Sequence, residues 1–139
     1  MDLITTLKSH HRAVENLVGV INDALTRGDI PTVKKNLGTL KTALLGHLAL
    51  EDAELYPGLS KAAARKKDEA MSATVTRFST NMEKIGVGLK AFLTKYEGQD
   101  FQAKAFSNEW KNIVTTLSTR ITAEECSLYP LFEKNAGGK

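Results

Sequence analysis

The sequence has little of several things that would give a function away. It holds one cysteine, Cys126, in 139 residues. An internal disulfide is therefore impossible, and a reducing cytoplasm is the expected setting. No apolar run approaches the roughly 20 residues needed to cross a bilayer. The opening stretch, MDLITTLKSHH, lacks the basic segment followed by an apolar one that marks a secretory signal. The net charge is only +3, which does not form the concentrated basic stripe of a nucleic-acid binder. The densest basic stretch, KAAARKK at 61–67, reads as a solvated helix or loop. There is no nucleophile triad, P-loop or dinucleotide-binding glycine motif. No segment shows the strict apolar alternation of a strand.

What is present is helical periodicity between a few breaks. RGDIP (27–31), YPGLS (56–60) and YEGQD (96–100) divide the chain into four segments. Pro31 suits a helix first turn, and Asp100 suits a cap for the fourth segment. Apolar residues recur at alternating spacings of three and four in each segment. The first seam runs Ile4, Leu7, His11, Val14, Val18, Ile21, Leu25. The second runs Val33, Leu37, Leu40, Leu44, His47, Glu51, Glu54. The third runs from Met71 through Val75, Phe78, Met82, Ile85, Leu89 and Phe92 to Tyr96. The fourth runs Phe106, Trp110, Ile113, Leu117, Arg120, Glu124, Ser127, Leu131. These predict an all-α, single-domain, up-down-up-down antiparallel four-helix bundle over residues 1–134, with a flexible tail at 135–139.

Polar groups interrupt three of these core seams. His11 lies in the first, His47, Glu51 and Glu54 in the second, and Arg120 and Glu124 in the fourth. Buried charges need partners, so these side chains are expected to meet one another, a metal or water. Helix direction brings them to one end of the bundle, where the third helix supplies Phe78 and Met82. A phrase also repeats: HLALEDAELYP (47–57) and RITAEECSLYP (120–130). A His followed four residues later by Glu puts both on one helix face, a spacing that suits two ligands of one metal, and the second copy has Arg in place of that His. Leu-Tyr-Pro is expected to close each helix, because proline cannot continue it.

With SHHRAVENL (9–17) and ITAEECSLYP (121–130), these phrases resemble the hemerythrin-like family, the HHE cation-binding domains, over nearly the whole chain. The resemblance implies a four-helix bundle around a non-haem di-iron centre that binds oxygen or senses oxygen, nitric oxide or iron. By position it implies His11, His47, Glu51 and Glu124 as metal ligands. Arg120 stands where the family has a fourth-helix histidine, and Phe78 and Met82 stand where it has third-helix histidines. What is left serves one of the two irons.

Two readings of the site follow. In the first, no cofactor is bound, and Arg120 replaces the missing ion in a buried network with Glu51, Glu54 and Glu124. In the second, His11, His47, Glu51 and Glu124 hold one iron or another divalent metal, with Glu54 and His10 as further candidates. His10 flanks the apolar arc opposite His11, so the sequence leaves open which of the two turns inward. Tyr56 and Tyr129 are expected to pack at the bundle's end, Trp110 and Met82 in the core, and Cys126 at the surface. The first reading predicts a non-enzymatic binding or sensing protein acting through a protein partner or self-association, without nucleic acid or membrane. The second predicts a metal-dependent oxygen, nitric oxide or iron carrier or sensor. An enzyme handling peroxide through such a centre ranks behind both.

Overall fold

The computed structural model of the protein describes residues 2–97 and 101–136. Its helices are α1 (Leu3–Thr26), α2 (Ile30–Leu50), α3 (Tyr56–Lys66), α4 (Glu69–Glu97), α5 (Ala103–Ala123) and α6 (Tyr129–Asn135). Single π-helical turns, Glu51–Leu55 and Glu124–Leu128, join α2 to α3 and α5 to α6 without a break. Four rods result: α1, α2–α3, α4 and α5–α6. They alternate in direction, so the structure is the expected all-α four-helix bundle, with no strand among the described residues. No described helix is long and apolar enough to cross a membrane.

Local chemistry sets the ends of the rods. The Asp2 side chain accepts from the Thr5 amide, and Asp29 accepts from that of Thr32, with Pro31 in the first turn of α2. Such caps satisfy amides that have no partner within the helix. Asp100, expected to cap the fourth segment, lies outside the described residues, and α5 begins after Gln102 with no side-chain cap. α6 includes Asn135, whose carbonyl accepts from Arg65, so the helix passes the expected boundary at 134. Residues 137–139 of the expected tail lie outside the described residues.

The second break differs from the sequence reading. Tyr56–Ser60 is helical, and the chain turns instead at Lys67–Asp68. There Lys67 is left-handed (φ 54°), and Asp68 accepts from the Met71 amide at 3.0 Å. Leu-Tyr-Pro does not close either helix. In each π turn the tyrosine amide reaches back five residues, Tyr56 to the Glu51 carbonyl and Tyr129 to that of Glu124. Pro57 and Pro130 then fall in the first turns of α3 and α6, where a missing amide proton costs little.

Because the rods continue, the polar residues do not sit at the bundle's end. One apolar cluster, with Ile21, Leu37, Leu40, Phe92, Phe106 and Trp110, fills one half of the bundle. A second, with Leu7, Leu55, Leu59, Val75, Leu128 and Phe132, fills the other. His11, His47, Glu51, Arg120 and Glu124 are the buried polar residues. They lie between Leu7 and Val14 on α1, Leu44 and Leu55 on the second rod, and Leu117 and Leu128 on the fourth. They form a charged layer between the two apolar clusters.

Candidate metal centre

Three rods build the layer. α1 contributes His11, the end of α2 contributes His47, and each π turn begins with one carboxylate, Glu51 or Glu124. One ligand atom from each of these four residues can be chosen so that all lie within 4.8 Å of one another. Exposure is 3% for His11, 5% for His47, 0% for Glu51 and 1% for Glu124. Two atoms inside this group, His47 Nε2 and Glu51 Oε1, have no hydrogen-bond partner. His47 Nε2 lies 3.1 Å from Glu51 Oε2 and 3.6 Å from Glu124 Oε1.

Neighbouring side chains hold the four in place. Tyr129, fully buried, has its hydroxyl 2.8 Å from Glu51 Oε2, 3.0 Å from Glu124 Oε1 and 3.2 Å from His11 Nε2. Its single proton serves one carboxylate at a time. His11 Nδ1 lies 2.7 Å from Glu125 Oε2, which also accepts from Arg12 at 2.5 Å. His11 is thus held between two carboxylates, with its Nε2 2.9 Å from Glu124 Oε1. His10 is half-buried, and its Nδ1 lies 3.1 Å from His47 Nδ1. That contact turns the other ring nitrogen, His47 Nε2, toward Glu51 and Glu124. His11 is thus the histidine that faces the core, and His10 supports His47 from behind.

Arg120 closes the side opposite α1. Its Nε donates to Glu124 Oε2 at 2.8 Å, one terminal nitrogen to Asn81 at 3.3 Å and the other to the Tyr56 hydroxyl at 2.7 Å. The guanidinium carbon lies 4.9 Å from the centre of the Phe78 ring. Glu54 does not join this network. It is exposed, because the π turn adds a residue between seam positions and turns Leu55 inward in its place. Ser127 is displaced outward by Leu128 in the same way. Trp110 is core, with its indole donating to Asn22 at 2.7 Å, and Cys126 is exposed.

The sequence reading did not find Glu125, Asn81 or the polar roles of Tyr56 and Tyr129. Glu125 lies off the apolar seam, and its only signal is that it follows Glu124 as Arg12 follows His11. The tyrosines, expected at the bundle's end, are instead buried beside the charged layer, and their hydroxyls bond its members.

Mutual electrostatics follows from this geometry. Burial disfavours charge on His47, but Glu124 and Glu51 outweigh it and raise the pKa to about 9. Burial raises Glu51, opposed by His47. Burial would also raise Glu124, but His11, His47 and Arg120 hold its carboxyl well below the usual range. Burial, then His47 and His11, lower His10. The two carboxylates therefore favour the charged form of His47.

The four residues fit one divalent cation. Two imidazoles and two carboxylates are a donor set for Fe, Mn or Zn, and Glu51 Oε1, buried without a hydrogen-bond partner, is an atom such an ion would satisfy. They do not fit a second cation. On the far side of Glu124 stand Arg120, Phe78 and Met82, and a guanidinium cannot lose its proton to become a ligand. A small cavity of about 30 Å³ adjoins the cluster, walled by residues that include Val14, Leu44, Met82 and Leu117.

Residues 2–132 match a family model described as the hemerythrin HHE cation-binding domain. Comparison with curated proteins and with solved structures gave no significant match.

Proposed function

The chain belongs to the hemerythrin HHE cation-binding family, and from that premise we propose that it binds a single divalent transition-metal ion through His11, His47, Glu51 and Glu124. Arg120 supplies a fixed positive charge where a second cation would otherwise stand. The observation that carries this reading is the convergence of four buried ligand atoms within 4.8 Å of one another, with Glu51 Oε1 lacking a hydrogen-bond partner. When bound, the ion supplies a site for a small ligand or a one-electron redox change. The chain's own residues orient the ligands: Glu125 behind His11, His10 behind His47, and Tyr129 between the two carboxylates. The adjoining cavity of about 30 Å³ is the size of a water or a diatomic molecule, far below the roughly 300 Å³ of an organic substrate site. This supports a small molecule, or the metal itself, as the ligand rather than an organic substrate.

A second reading has its own support. Arg120 makes three hydrogen bonds, one of them to Glu124, and a protonated His47 beside Glu51 and Glu124 balances charge without an ion. On that reading the bundle is metal-free and acts through a protein partner or self-association. Elemental analysis of the purified chain separates the two. We expect one equivalent of metal, lost in His47→Ala and in Glu51→Gln. A metal at 100 times its Kd should add about 2.7 kcal/mol of stability. Two equivalents per chain, or no metal and no rise in melting temperature with Fe(II), Mn(II) or Zn(II), would sink the single-ion proposal.

A further inference from the structure

A second, larger cavity adjoins the charged layer through Arg120. It is a groove of about 870 Å³ between α4 and α5, lined by Arg77, Phe78, Lys84, Ile85 and Arg120 together with five threonines. Its volume falls within the roughly 300–1,000 Å³ of sites for small organic ligands. Two features give it a ligand chemistry. Three cationic side chains line it and no acidic one does, so its field favours an anion. Its walls offer the Phe78 ring, the Ile85 side chain and threonine methyl groups, so they also favour an apolar body.

Arg120 is the deepest of the cations, at 7% exposure. Three hydrogen bonds use three of its five N–H groups. The two others belong to its terminal nitrogens and are left to donate to a ligand. Phe78 stacks on the guanidinium and holds its plane at the groove's inner wall.

We propose that the α4–α5 groove binds an organic monocarboxylate with an apolar tail, its carboxylate held by Arg120 with Lys84 and Arg77 and its tail along Phe78 and Ile85. The same Arg120 bonds Glu124, so an occupied groove is one hydrogen bond from the candidate metal ligands. The proposal goes beyond the metal reading and does not require the ion.

The test is calorimetric titration of the full chain with octanoate, with octylamine and octanol as probes of the same tail bearing the opposite charge or none. Octanoate should bind with one equivalent and at least tenfold more tightly than either. Lys84→Glu should weaken it about tenfold, the usual scale for losing one charge contact and introducing a repulsive one. Thr116→Trp, which fills the groove, should abolish binding while metal content stays that of the unmodified chain. Thr119→Trp at the exposed edge is the second filling variant if the first does not fold. Binding of all three probes alike, no binding of octanoate at millimolar concentration, or binding unaffected by filling would overturn the proposal. So would a dimer in sedimentation that the filling variants dissociate, since the groove would then be a contact between copies.

Discussion

Arg120 donates to Glu124, Asn81 and Tyr56 and stacks on Phe78, so its removal leaves a buried carboxylate with less compensating charge. Arg120→Leu should cost roughly 3–5 kcal/mol in metal-free protein. Urea denaturation of chelator-treated samples checks it, and a change within about 0.5 kcal/mol, typical of surface sites, would contradict the network. His47 sets the pH dependence. Its pKa is raised from 6.5 to about 9 in the folded chain, so folding favours the charged form. That contribution is complete below the unfolded value of 6.5 and is lost as pH rises through about 9. Glu51, also raised, slopes the same way above its own unfolded value of 4.5. Glu124, held low, contributes above its unfolded value and loses that contribution only in strong acid. Metal-free protein should therefore be about 1–3 kcal/mol less stable at pH 9.5 than at pH 6.5. A denaturation midpoint that does not move across this range would rule out a charged His47. Metal affinity should rise over the same interval, because the ion competes with that proton.

At the scale of the element, the two π turns decide which residues enter the charged layer. Heptad spacing places His11, His47, Glu51, Arg120 and Glu124 on the buried faces, since α1 has no π turn and the other four residues precede or begin one. It fails immediately after, at Glu54 and Ser127, because each turn shifts the register by one residue. The repeated phrase carried that information. In Glu-x-x-x-Leu-Tyr, two bulky residues at adjacent positions, Leu55 with Tyr56 and Leu128 with Tyr129, are both buried. An ordinary α-helix places neighbours about 100° apart, and a widened turn brings both inward. Proline read as a stop for the same reason: its cost assumes an α-helix interior, not the turn after a π segment. Glu54→Ala tests this register directly. It should change stability by no more than about 0.5 kcal/mol and leave metal content unaltered. A loss of several kcal/mol on thermal melting would restore Glu54 to the core.

Across the whole molecule, the order and alternation of the rods were legible because long periodic seams determine which faces are buried. The closeness of α3 to α6 was not, since it depends on the rods continuing past their prolines. Gly58 marks that approach: a Cβ there would lie 2.8 Å from Cε2 of Phe132. Gly58→Ala should lower stability by about 1–3 kcal/mol through overpacking, and Gly58→Ala combined with Phe132→Leu should recover part of it. Equal melting temperatures for Gly58→Ala and the unmodified chain would show that the ring yields freely. The charged layer between the two apolar clusters has a consequence for how the bundle comes apart. There is no unbroken greasy column along its axis, only two separate oily plugs with a polar washer between them. Removing one of the washer's charges, as Arg120→Leu does, would leave each plug intact and weaken only the join. Amides at one end of the bundle would then exchange with solvent on a schedule of their own.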